Sequence, residues 1–380
     1  MRFTVSQSAL AKALSIASHA ISSSATQPVL SCIYLKAADG TIELESTNLT
    51  TYIRTKIPAN IEQEGNAVVS GKILSNIVKV LPDAAIRFDG DEKGLTISCL
   101  KSNYSLNVLN PGDYREFLFP DYALERSIEL PKELVSSMVD KVYKATSKDS
   151  SRPIFHGIFM TLEENVLRMV ASDSHRVAVC DTNIETSSVE KSFKVIIPGD
   201  AFHEVLSLPS DESDILIGFT SNQVVFSTGT TTYLSRRLEG DFINYKGLLP
   251  SETVSSVKLD LGEFAAALKR VAVIATAGAI AKKPPLISFV IDAEGNTLTL
   301  TSMATDQGEA REIVPAEVTG GDVSIAFNYQ YVADCIGAIE GEKEILFEVG
   351  LVRNKNVGSF KSFAKVNYLY LMMPLFSRNQ

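Results

Sequence analysis

Cysteine is scarce and badly spaced for chemistry: Cys32, Cys99, Cys180 and Cys335 lie far apart, and no CxxC pair occurs. Metal knuckles and redox dithiols lack their spacing, so the four thiols read as small buried hydrophobes. Long apolar runs are missing too. The nearest, Val271 to Ala281, is broken by Thr276 and Gly278, and it falls short of the ~18 residues that a spanning helix needs. Near the amino end, Lys12 and His19 interrupt the only candidate signal-peptide stretch, which points to a cytoplasmic protein. No GxxxxGKS/T or GxGxxG loop, no GxSxG elbow and no HExxH pair is present, and neither cofactor nor metal is expected. Positive charge is also short. With 36 Lys and Arg against 45 Asp and Glu, the net charge is −9, which argues against gripping nucleic acid by bulk attraction. Any polyanion partner must be held another way.

What remains is 380 residues of globular composition, 45% hydrophobic and 21% charged, enough for two or three domains. Internal repetition favours three. Val69-Ser70-Gly71-Lys72 ahead of one apolar helix matches Ile197-Pro198-Gly199-Asp200 ahead of another, and these helices end at Leu81-Pro82 and Leu208-Pro209. Downstream, Gly112-Asp113-Tyr114 matches Gly240-Asp241-Phe242. Each pair is separated by about one third of the chain. Helices starting at Ser8, Lys132 and Leu261 are each followed by a proline-led strand, at Pro28, Pro153 and Pro285, and Asn328 to Ile339 supplies the later helix of the third copy. The boundaries fall near 126 and 252, giving domains 1–126, 127–252 and 253–380.

Strands such as Thr41 to Glu45 alternate apolar and polar side chains at period two. Helices carry stripes at +3 and +4, as in Leu10, Leu14, Ala17 and Ile21, or Leu134, Met138, Val142 and Ala145. Each third is therefore expected to be an α+β domain with helices on one face of antiparallel sheet.

Lys and Arg are shared evenly among the thirds, and on the helices they fall opposite the apolar stripe: Lys72 and Lys79, Lys141, Lys144 and Lys148, Lys269 and Arg270. They are either solvated faces or a set converging on one polyanion. The most enzyme-like string is Ala171-Ser172-Asp173-Ser174-His175-Arg176-Val177-Ala178-Val179. On a strand Asp173 and His175 would share a face, with Ser174 pointing away and unable to serve as that histidine's nucleophile. The residues speak against catalysis. The apolar segment Tyr368 to Phe376 is either a last core strand or, being Met-rich, a wall of a peptide groove, with Pro374 ending the strand.

Four segments, Met1 to Val5, Ala171 to Val179, Gly240 to Tyr245 and Met373-Pro374-Leu375, make the whole chain resemble the bacterial DNA polymerase III beta subunit family, the replicative sliding clamps. The resemblance implies three tandem clamp domains per chain, and a homodimer closing head to tail into a ring around double-stranded DNA, helices inward. It implies a processivity subunit without an active site, which tethers the replicative polymerase. The polymerase, the ATP-driven clamp loader and repair proteins would dock by short linear motifs in a hydrophobic pocket. By position that pocket includes Phe155, Ser172, Ser174, His175, Arg176, Val177, Ile243, Leu248, Leu371, Met373, Pro374 and Leu375. The DNA-facing residues would be Lys72, Lys79, Lys141, Lys144, Lys148 and Arg152, and the dimer seam Tyr104 and Leu106 against Val273 and Ile274.

Ring closure would pair sheet edges that an open row of β-rich domains leaves exposed. The chain departs from the family at Ser174, commonly Gly, at Ile243, commonly Pro, in the serines Ser22 to Ser24, and in the tail Phe376 to Gln380. Two other readings are a hydrolase built on Asp173 and His175, and a monomeric peptide-binding scaffold without DNA encirclement.

Overall fold

The computed structural model describes residues 1–22, 27–91, 93–149, 151–184, 192–277, 284–304 and 307–375. Ser23, Ser24, Gly278 and the tail Phe376 to Gln380, singled out above, lie outside them.

The first third forms β1 (Arg2–Ser6), α1 (Gln7–Ala17), β2 (Cys32–Ala38), β3 (Thr41–Thr47), β4 (Thr51–Pro58), β5 (Asn60–Gln63) and β6 (Gly65–Ser70). It continues with α2 (Gly71–Val80), β7 (Ala85–Gly90), β8 (Leu95–Cys99) and β9 (Ser102–Leu106). The second third forms β10 (Arg126–Pro131), α3 (Lys132–Tyr143), β11 (Gly157–Glu163), β12 (Val166–Ser172), β13 (Arg176–Asn183) and β14 (Phe193–Pro198). It ends with α4 (Gly199–Ser207), β15 (Asp214–Phe219), β16 (Gln223–Thr228) and β17 (Thr231–Arg236). The last third forms β18 (Glu252–Asp260), α5 (Leu261–Ala277), β19 (Leu286–Asp292), β20 (Thr297–Ala304), β21 (Gly308–Pro315) and β22 (Glu317–Gly320). It closes with β23 (Val323–Asn328), α6 (Tyr329–Gly337), β24 (Glu344–Val352), β25 (Lys355–Phe363) and β26 (Asn367–Met372).

Helix starts follow capping chemistry. Ser6 accepts the Ala9 N–H, Ser70 the Ile73 N–H and Asn328 the Gln330 N–H, each satisfying a donor that a helix end leaves unpaired.

By packing, the chain forms two compact units that cut across the thirds. One comprises Met1–Val135 with Glu204–Arg237. It holds a five-stranded sheet, β5-β1-β7-β8-β9, and an eight-stranded sheet, β10-β15-β16-β17-β4-β3-β2-β6. Its core gathers the α1 stripe with Phe3 and Phe88, whose rings stack at 4.6 Å. The other unit comprises Ser136–His203 with Leu238–Gln380. It holds a nine-stranded sheet, β14-β11-β12-β13-β26-β25-β24-β18-β22, and a four-stranded sheet, β21-β20-β19-β23. Phe264, Phe327, Phe347 and Phe360 each meet Phe289 edge to face in its core, and burying each such ring stabilises the fold by about 1.5–3 kcal/mol.

The units cross the thirds because edge strands of successive repeats pair. In both long sheets the last strand of one repeat joins the strand ending the opening hairpin pair of its predecessor: β17 with β4, and β26 with β13. The corresponding strands β9 and β21 end their sheets without a partner among the described residues.

Candidate functional site

The string Ser172 to Arg176 makes the β12–β13 turn. The buried Ser172 hydroxyl donates to the Arg176 carbonyl (2.8 Å) and accepts the Ser174 N–H (3.3 Å). The Asp173 carboxylate accepts the N–H groups of His175 (2.9 Å) and Arg176 (3.1 Å). This corrects the strand reading: Asp173 and His175 share a turn rather than a strand face, and the carboxylate that would orient a catalytic imidazole is already occupied by backbone. Ser174 adopts φ +79, the left-handed region where a Cβ costs about 1–2 kcal/mol and glycine is at ease. Ser174→Gly is expected to raise stability by up to about 1 kcal/mol, read as a higher urea midpoint at unchanged slope; an unchanged or lower midpoint counts against turn strain.

Arg176 opens β13 and is only 8% exposed. Its guanidinium donates to Asp173 (2.8 Å), Asp334 (2.6 Å), the Tyr370 hydroxyl (2.7 Å) and the Lys144 carbonyl, and lies 4.3 Å from the Tyr331 ring centre. Burial opposes its charge, but Tyr370, Asp334 and Asp173 outweigh burial and hold its pKa above the ordinary arginine value.

Alternation along β13 turns Val177 and Val179 to the opposite sheet face. There Val177 pairs with Leu371, and both cluster with Val170, Tyr245 and Val357, flanked by half-buried Phe159, Phe242, Ile243, Leu248 and Leu369. The Phe159 and Phe242 rings stack at 5.0 Å. Four of the expected pocket residues, Val177, Ile243, Leu248 and Leu371, therefore meet on one apolar face. Ser174, His175 and Arg176 instead line a polar cavity of about 850 Å³ with Lys144, Lys148 and Arg152. Beyond the end of β26, Met373 is 38% exposed and donates its N–H to the His175 carbonyl (2.9 Å), while Leu375 donates to the Ala326 carbonyl (2.8 Å) across Pro374. Phe155 is half-buried in the turn Pro153–His156 and is not among the residues lining the cavity.

Sequence reasoning missed a second cavity beside this face, about 480 Å³, lined by Val179, Tyr245, Leu249, Phe363 and Leu369 with Arg168 and Lys246 on its wall. Val179 and Leu369 stand two residues from Val177 and Leu371, so period two alone would have found them. Tyr331 and Asp334, which fix Arg176 from α6, had no local signal.

Among the basic residues, Lys72 and Lys79 are exposed on α2, and Lys144, Lys148 and Arg152 are exposed beyond the end of α3. Arg152 donates to the Ser174 hydroxyl (2.8 Å). Lys141 corrects the expectation. It is 8% exposed, pairs with Glu342 (3.2 Å) and sits 5.2 Å from the Tyr368 ring centre, because the apolar side of α3 is wide enough to include it and a carboxylate waits there. It does not face solvent. Tyr104 and Leu106 lie half-buried on the edge strand β9, and on α5 Val273 is 67% exposed beside half-buried Ile274.

Models of the DNA polymerase III beta subunit match this chain three times in succession: the N-terminal domain over residues 1–118, the central domain over 129–244 and the C-terminal domain over 246–375. The beta sliding clamp of Staphylococcus aureus is 30% identical over 356 residues, covering 90% of this chain and 91% of that protein. The beta sliding clamp of Synechococcus elongatus is 28% identical over 384 residues, covering 99% of each. The crystal structure of the DNA polymerase III beta subunit from Thermotoga maritima superposes with a TM-score of 0.85 at 27% identity, covering 99% of each chain. Three clamp domains in tandem, built of antiparallel sheet and paired helices and matched over nearly the full length, mean that the chain belongs to the bacterial DNA polymerase III beta subunit family, the beta sliding clamps.

Proposed function

We propose that two copies of this chain close head to tail into a ring on duplex DNA, with repeats bounded near residues 126 and 252. As a beta clamp the chain is a non-catalytic processivity subunit that holds the replicative polymerase on DNA, work done in the cytoplasm beside the chromosome. The observation that carries the ring is the pair of unused strands. Two junctions between repeats are made inside the chain by equivalent strands, β4 with β17 and β13 with β26, and β21 and β9 are the same two positions without partners among the described residues. Pairing β21 of each copy with β9 of the other uses these two edges and closes the assembly at two chains, so neither is left as a template for open-ended pairing. Tyr104, Leu106, Val273 and Ile274 flank that seam.

A closed ring explains how a chain of net charge −9 stays on DNA. A topological link needs only weak, sequence-independent contacts to phosphate, supplied by Lys72, Lys79, Lys144, Lys148 and Arg152. The apolar face of Val177, Ile243, Leu248 and Leu371, with Met373, Pro374 and Leu375 at its end and the Ser172–Arg176 turn at its rim, receives short linear motifs of the polymerase, the clamp loader and repair proteins.

The test is retention on a circle. Clamp loaded on a nicked plasmid should survive a high-salt wash and leave when the plasmid is linearised. Clamp that washes off the closed circle, or stays after cutting, sinks the ring. In direct binding at varied salt, Lys72→Ala with Lys79→Ala should lower the log–log slope by about 2, near 0.9 per phosphate contact, whereas Lys141→Ala should leave it unchanged.

A further inference from the structure

We propose that the β4–β17 junction is a second peptide groove of the same construction, closed in cis by the chain's own Phe119; this rests on reading the β13–β26 face as a peptide groove. The two junctions share their turn down to individual hydrogen bonds. Thr47 donates to the Thr51 carbonyl (2.8 Å) and accepts the Leu49 N–H (2.9 Å), as Ser172 does with Arg176 and Ser174. Asn48 Oδ1 accepts the Thr50 and Thr51 N–H groups, as Asp173 Oδ1 accepts those of His175 and Arg176. Leu49 has φ +76 where Ser174 has φ +79. Three residues on, Tyr52 pairs with Leu234 as Val177 pairs with Leu371.

The difference is what covers the pair. On the β13–β26 face Ile243 and Leu248 remain half-buried and a cavity opens alongside. On the β4–β17 face Phe119, 5% exposed, seals Tyr52, Val225 and Leu234. It is held as a ligand would be. Its ring meets Tyr52 edge-on with centroids 6.4 Å apart, Arg54 lies 4.5 Å from its centre, and its N–H donates to the buried Glu45 carboxylate (2.9 Å), itself paired with Arg54 (2.8 Å). A desolvated carboxylate directed at one backbone N–H beside an apolar seat recognises an extended peptide with an aromatic anchor. Phe119 is followed by half-buried Pro120 and by an exposed stretch, residues 121–124, whose Tyr122 ring meets Phe119 edge-on at 6.2 Å.

Phe119→Ala empties this seat, and the plug can be returned in trans. The probe is a synthetic copy of Leu118 to Ala123 with benzoylphenylalanine at the Phe119 position, photolysed with the full-length chain and mapped by mass spectrometry. Labelling of the strands bearing Tyr52, Val225 and Leu234 should rise at least about tenfold in Phe119→Ala over the native chain, the scale of one aromatic anchor. A competitor with alanine at that position should not suppress it. No gain at those strands overturns the plugged groove, whatever is seen at Val177 and Leu371, which report the other groove independently. Should Phe119→Ala fail to give a folded dimer, Phe119→Leu is read by the same criterion.

Discussion

Leu106→Glu should convert the proposed dimer into a particle of 41.3 kDa, one chain. Leu106 ends the edge strand β9, half-buried over the core of its own unit and beside an edge that is unpaired among the described residues. In the ring that position lies at the seam, where a carboxylate has no partner and pays desolvation without compensation, about 3 kcal/mol at each seam. Two seams close the ring, so the penalty is about 6 kcal/mol, roughly four orders of magnitude in dimer dissociation. Mass photometry at nanomolar chain reads this directly. A variant that remains fully dimeric there refutes the seam, while the groove would be untouched.

Arg176→Met should cost about 3 kcal/mol of folding stability, because it leaves two half-buried carboxylates without their buried cation. Asp173 and Asp334 both contact the guanidinium, and Tyr370 and the Lys144 carbonyl lose their donor. Lysine should not rescue, since one ammonium cannot reproduce the planar fork serving four acceptors. Urea unfolding followed by far-UV circular dichroism gives the number, and a loss below about 1 kcal/mol contradicts a structural network here. The consequence for function is positional. Arg176 and Val177 are consecutive residues on opposite faces of β13, so the ion cluster on one face sets where the turn and the apolar face on the other begin.

The repeat and the alternation of strands were legible in the sequence, because each is a local period or a spacing, whereas the apolar face around Val177 and Leu371 was reached only through the family resemblance. What was not legible depends on residues distant in the chain. Lys141 reads as a solvated base until Glu342, two hundred residues away, is brought against it. Asp173 and His175 read as strand neighbours because the run around them is apolar, yet Asp and Ser are turn formers, and that signal was the better one. Phe119 lies in a connection without periodicity, so nothing in its surroundings marks it as the cover of a strand pair. The division into compact units also escaped the sequence, since repeats locate domains but not which of their edges pair.

Small-angle scattering from a size-exclusion peak tests ring closure most directly, since mass and hollowness come from one sample. The account predicts a particle of twice 41.3 kDa with the scattering minimum of a hollow ring, unchanged as concentration is varied. A compact single chain, or a species that lengthens with concentration as open head-to-tail pairing would, contradicts it.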